Sequence, residues 1–412
     1  MQSSDPGHLF QTTTQIKQAA EREKKFKAAE QIGNPINVSS KVLDLVVRGQ
    51  EGWTGESGFL SRRLDLRSGK TIKLYKSHSG PVTSVALHEI KNEDGTKWLA
   101  LFTGSWDKTI KIWNADSGEL LFTLEGHTDF LKSLLILPLS SPLLLSTSSD
   151  RTIRIWDLSS LSTSTKTSPR SIQNIKEHTR PVECSILKLH LDGNGRSTGG
   201  MDVWTGDSLG LIKKWEINES ERKLKWKEDI LGHDTSVSQL ALTDDGLWSV
   251  SMDKSAIFHP FVPSSSSSSS SPKPTITHPS YVKSVLPIPE EFELPRSLLL
   301  TGSEDEHIRI FDHESILDIT STSDANAGKL YGMIQGHCGE VSVLRVWWSD
   351  GNGIESGWYV ISGGLDSTLR RWGVKDILNP PVLNYEPEEV KESSGMTEEE
   401  ERELAELMSD ED

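Results

Sequence analysis

Only two of the 412 residues are cysteine, Cys184 and Cys338. They are too few and too far apart for a disulfide framework or a cysteine-based zinc site, so a reducing compartment, cytoplasm or nucleus, is expected. No apolar run approaches the ~18 residues of a membrane span, and 34% apolar residues overall argue against membrane insertion. The opening stretch MQSSDPGHLFQTTTQ has neither a basic nor an apolar region, so no secretory leader is expected. GxSxG, HExxH, phosphate-loop and GxGxxG motifs are missing in any useful context. No catalytic residue, metal ligand or cofactor is therefore assigned. A basic excess is missing too. The net charge is −16, and Glu386 to Asp412, with thirteen acidic and two basic residues, carries −11, leaving −5 for the rest. Direct nucleic-acid binding would want a basic face.

What the chain does have is thirteen Trp, thirty-two Gly and an internal period. A histidine is followed, after a gap, by a hydroxyl residue, an Asp turn, and Trp six residues beyond the Asp. The clearest copies are TGSWDKTIKIW (Thr103 to Trp113), STSSDRTIRIW (Ser146 to Trp156) and SGGLDSTLRRW (Ser362 to Trp372), after His78, His127 and His337. Each unit alternates apolar and polar residues in four short runs separated by turn signals, which predicts four strands. The histidines at 78, 127, 178, 233, 278 and 337 lie 45 to 59 residues apart and mark six units. A seventh, Lys41 to Tyr75, keeps the strand rhythm with WTGESG at the turn and Leu64 in the Trp place. Single units of this kind cannot bury their own faces, and seven sheets set radially close a ring with short protected edges. Either 35–39 or 381–385 could supply the outer strand of the last sheet.

These residues resemble the WD-repeat β-propeller family over roughly residues 38 to 375. The resemblance implies an all-β, seven-bladed propeller. Around it the sequence predicts a short N-terminal helix over Gln15 to Gln31 and an acidic C-terminal tail. The expected divisions are 1–37 for the N-terminal extension, 38–378 for the propeller, and 379–412 for the tail. The resemblance also implies an interior network of Trp, hydroxyl, His and Asp. Its members here are His78, Asp107 and Trp113, then His127, Asp150 and Trp156, then His337, Asp366 and Trp372. Blade six has Phe311 for Trp, blade five has His259, blade four has Leu209 for Asp, and blade one has none of the set. Those four blades are expected to be less rigid, because a network missing a member leaves the others needing water. A Ser-His-Asp trio similar to that of a hydrolase is read as structural, since it recurs in several repeats, each with a Trp. DGNGRSTGG (192–200) is read as a surface loop, and Cys338 as a packed repeat residue.

The hydroxyl-to-Trp step stays at ten residues while insertions follow the first and third strands of a unit. In a propeller those loops share one face, and the histidine loops and Asp turns form the other, short-loop face. Long loops could mark the binding face; a rigid ring with short loops favours precise peptide recognition, and that face is preferred. In WD-repeat relatives, contacts there come from the third and fifth residues after the histidine and from the residue before the Asp. The resemblance therefore implies partner contacts by Trp106, Phe130, Lys132, Glu183, Met252, Tyr281, Lys283, Glu304, Glu340 and Leu365. Trp106 and Phe130 are the expected anchors, since aromatics dominate interface hot spots. In the tail, Thr397 and Glu400 make a capping box ahead of Leu404, Leu407 and Met408. This reads either as a short helix folding on a basic partner or as a solubilising segment, and Ser409 resembles an acidic-directed phosphorylation site. The functional expectation is a non-catalytic scaffold or adaptor in a multiprotein complex, binding partner peptides on the short-loop face. The alternative is a non-catalytic subunit positioning an enzyme partner on RNA or chromatin through a basic patch of Arg62, Arg63, Arg67, Lys70 and Lys73.

Overall fold

The computed structural model describes residues 13–163, 167–261, 273–317 and 328–383, apart from the side chains of 13–19. Residues Ala29–Leu383 form one compact unit. It contains seven four-stranded sheets, antiparallel throughout, six of them ordered as consecutive hairpins and the seventh completed by a strand from earlier in the chain. The innermost strands are Val42–Arg48, Val82–Lys91, Leu131–Leu137, Val182–Leu191, Val237–Leu242, Val282–Pro287 and Val341–Ser349. Each touches the next, and the first touches the last, so the ring is closed. The chain is an all-β, seven-bladed propeller.

Closure uses the earlier of the two candidate segments. Ile36–Asn37 pairs antiparallel with the third strand of blade seven, Ile36 opposite Leu369 and Asn37 opposite Thr368. The sheets thus take in two residues ahead of the boundary at 38. Just upstream, Gly33 lies at φ +69°, where a side chain would fall 2.6 Å from the Trp372 ring. Arg370 donates from Nη1 to the carbonyls of Ala29 and Ile32, and Arg371 donates to those of Leu66 and Arg67 in blade one. The cores lie between blades. Phe102 and Ile112 of blade two meet Leu144 and Trp156 of blade three, for example, all buried. Val42, Leu45 and Leu64 meet Val343, Trp347 and Ile361 across the closure. Where sheets come closest the residue is glycine, since a Cβ on Gly302 would sit 2.7 Å from Val341, and one on Gly363 2.9 Å from Val42.

All seven blades share one irregularity. The pairing of first and second strands slips by one residue at the second position of the innermost strand. A bulge leaves its extra residue outside the ladder and re-aims its side chain. In four blades that side chain reaches the following blade. Thr83 donates to the Leu131 carbonyl at 2.7 Å and Ser342 to the Val42 carbonyl at 2.7 Å. Lys132 pairs with Glu183 at 2.9 Å, and Lys283 with Glu340 at 3.8 Å.

The N-terminal helix α1 spans Thr13–Ala28 and carries a Lys27–Glu23 pair. Two further short helices, α2 (His313–Leu317) and α3 (Val374–Leu378), follow the third strands of blades six and seven. No helix among the described residues is long and apolar enough to cross a membrane. The acidic tail, with Thr397, Glu400, Leu404, Leu407, Met408 and Ser409, lies outside the described residues.

Candidate interaction face

The repeated polar residues assemble as chains inside the blades. In blade two His78 Nδ1 lies 2.7 Å from Asp107 Oδ2, and its Nε2 lies 2.8 Å from Thr103 Oγ1. Trp113 Nε1 donates to the same hydroxyl at 2.9 Å. With a neutral imidazole only one polarity satisfies every atom: Nδ1–H donates to the carboxylate, the hydroxyl donates to Nε2, and the indole N–H donates to the hydroxyl. Blade three repeats it through His127, Asp150, Ser146 and Trp156 at 2.9, 2.8 and 2.9 Å. Blade seven repeats it through His337, Asp366, Ser362 and Trp372 at 3.0, 2.7 and 2.8 Å. Burial opposes charge on Asp107, yet hydrogen bonds from His78 and Thr109 outweigh it and hold the carboxyl well below its usual range. The other Asp107 oxygen caps the turn through Thr109 N at 3.0 Å. Each hydroxyl is fully buried beneath an indole, the opposite of an exposed nucleophile. Among the described residues no cluster of His, Cys, Asp or Glu could hold a metal.

Three of the four departing blades correct the sequence reading. Blade four does have its carboxylate, on Asp207 rather than at Leu209. His178 bonds Asp207 at 3.0 Å and Thr205 at 2.8 Å, and Trp215 donates to Thr205 at 2.9 Å. In blade five the Ser249 hydroxyl bridges His233 and His259, both at 2.7 Å, and Lys273 lies 3.2 Å from His259 Nδ1. Burial first, then Lys273, drives the His259 pKa well below the ordinary histidine value. Blade one replaces the set with an ionic one. Buried Glu56 receives Thr54 at 2.8 Å, Arg62 at 2.7 Å and Ser40 at 2.7 Å. Only blade six is open. Asp305 turns to Arg309 at 2.6 Å, while His278 keeps Thr301 at 2.9 Å and rests edge-on against Phe311. Burial and then Arg309 pull the His278 pKa down to about 4.

The three arginines of the expected basic patch are taken up in ion pairs. Arg62 is buried against Glu56. Arg63 binds Glu51 and Asp116, and Arg67 binds Asp65 and Asp350. Lys73 donates to the carbonyls of Asp116 and Ser117.

Antiparallel blades put the histidine loops and the Asp turns at one end and the longer loops at the other. On the short-loop face, Trp106 of blade two and Phe130 of blade three stack with ring centres 5.0 Å apart and planes at 21°. They are 41% and 40% exposed, and Tyr281 of blade six is 37% exposed. Met252 and Leu365 are half-buried in their turns. Lys132, Glu183, Lys283 and Glu340 are half-buried too, tied into the bulge pairs described above. Glu304 is exposed and receives the Ser280 hydroxyl at 2.9 Å. Two residues escaped the sequence reading: Phe59, 47% exposed, and Leu209, 53% exposed. They sit in the blade-one and blade-four turns, from which no contact residue was carried over because the family Asp is missing there. Between the innermost strands the channel encloses about 700 Å³, with Asp44, Lys132, Glu183, Lys283 and Arg345 on its wall.

A ring of seven such sheets, cross-linked by recurrent His, Asp, hydroxyl and Trp side chains, defines a repeat propeller. The family described as "WD domain, G-beta repeat" matches residues 69–114 and 118–157. Each match runs from the outer strand of one blade through the first three of the next. An uncharacterised WD repeat-containing protein of Schizosaccharomyces pombe is 29% identical over the whole length of both chains. The nuclear distribution protein PAC1 of Gibberella zeae is 28% identical over 50% of this chain and 42% of its own. The WD repeat and SOCS box-containing protein 1 of Danio rerio is 33% identical over 29% of this chain and 27% of its own. The chain thus carries WD repeats, and propellers built of such repeats generally serve as non-catalytic protein-interaction scaffolds.

Proposed function

We propose that this protein is a non-catalytic adaptor of a multiprotein complex in the cytoplasm or nucleus, holding an extended partner segment on its short-loop face. The observation that carries this reading is the Trp106–Phe130 stack. Two large rings from adjacent blades lie about 40% exposed and packed on each other rather than into the core. Buried aromatics need no partner; exposed, preorganised ones gain area on binding at little entropic cost. Lys132, Met252, Tyr281, Lys283, Glu340 and Leu365 form the surrounding contacts in this reading. The experiment is affinity purification with mass spectrometry from the native cell, comparing wild type with Trp106→Ala/Phe130→Ala. Loss of a defined set of partners by the folded double variant is expected. An unchanged set overturns the assignment of this face.

A further inference from the structure

The short-loop face is not uniform in charge. The residue following the turn Asp is basic in blades two, three and five (Lys108, Arg151, Lys254). Blade six reverses the sign with the turn Glu304-Asp305-Glu306. Asp305 is satisfied by Arg309 and His307. Glu304 lies beside Tyr281, its amide donating to the Tyr281 carbonyl at 3.0 Å. Glu340 of blade seven is half-buried and pairs with Lys283 at a loose 3.8 Å. Burial raises its pKa, Lys283 lowers it, and Glu304 then raises it again, with Lys41 a weaker counterweight. Carboxylates that repel one another in a partly desolvated place favour an added cation, and the exposed Tyr281 ring offers that cation a π face. The Trp106–Phe130 stack is at the junction of blades two and three, three junctions away around the ring and so across the channel mouth.

Resting on the proposed use of this face, we infer that the segment it holds is amphipathic. An apolar side chain packs on Trp106 and Phe130, and a single Lys or Arg at the other end sits against Glu304 and Glu340 beside Tyr281. Polybasic segments and nucleic acids do not fit. The first meets Lys108 and Arg151 around the anchor, and the second meets carboxylates at the far end.

The test uses the full chain as bait for a phage-displayed random dodecamer library. Enriched peptides are expected to carry an aromatic or large aliphatic residue and, at a fixed spacing, one Lys or Arg. A synthetic copy of an enriched peptide should bind Glu304→Gln/Glu340→Gln about tenfold more weakly by fluorescence anisotropy. These near-isosteric changes keep the fold testable by circular dichroism. On Trp106→Ala/Phe130→Ala the apolar preference should vanish. Peptides selected for the apolar residue alone, or equal Kd for the glutamine variant, overturn the cation assignment and leave the face standing. Peptides that bind the Trp106/Phe130 variant as well as wild type overturn the face itself, and an unenriched library counts against both.

Discussion

Asp207 shows how a single side chain can keep a network that its sequence position conceals. It lies two residues after the hydroxyl of Thr205, at the end of a strand, whereas Asp107 lies in the turn four residues after Thr103. From there it still reaches His178 at 3.0 Å. Asp207→Ala is expected to cost about 1–3 kcal/mol in chemical denaturation, because it leaves a buried imidazole N–H unpaired. Leu209→Asp alone should add nothing, since His178 Nδ1 is already taken; together with Asp207→Ala it should recover part of the loss. The trios of blades two, three and seven were legible because one spacing recurs. Asp207 and Glu56 were not, because a carboxylate supplied from the strand end breaks that spacing while satisfying the same chemistry. The exposure of Phe59 and Leu209 was not read for the same reason, since their turns lack the expected Asp from which contacts are counted.

Among the blades, five is where a substitution changes behaviour. His259 stands in the Trp place and takes up the same hydroxyl. It must be neutral: Ser249 accepts its Nε2–H, and Lys273 donates to its Nδ1. Its folded pKa lies below the ordinary value of 6.5. The unfolded chain therefore binds a proton as pH falls past about 6.5 while the folded chain does not, so stability drops with falling pH. Between pH 7.5 and 5.5 wild type is expected to lose more Tm than His259→Gln, which keeps an N–H donor without the titration. Equal losses would refute the assignment. The bulges are a second lesson of this kind. Period-two alternation located each innermost strand but could not show the one-residue slip, because a bulge flips side chains without altering composition. That slip is why Lys132 and Lys283 point at the neighbouring blade.

The ring as a whole depends on a clasp of two residues plus the arginine contacts around it. Removing residues 1–38 deletes the Ile36–Asn37 pairing and the carbonyls that Arg370 holds. Blade seven is then left with three strands and a bare edge. The truncated chain is expected to unfold at lower denaturant and to self-associate in sedimentation, while a deletion confined to 1–12 leaves both unchanged. The number of blades was readable from six histidines and a degenerate seventh unit; which end closes the ring was not. Two proline-led segments offered comparable short strands, and the pairing of Ile36 with Leu369, backed by the contacts of Gly33, Arg370 and Arg371, distinguishes them.

The clasp also bears on how the molecule is made. Ile36 leaves the ribosome some 330 residues ahead of its mate Leu369. At roughly 5–20 residues per second the nascent chain waits on the order of tens of seconds with its first sheet unmatched. A growing arc of this kind needs shelter until its end arrives, and a stalled or shortened transcript would yield a sticky fragment rather than a smaller working ring.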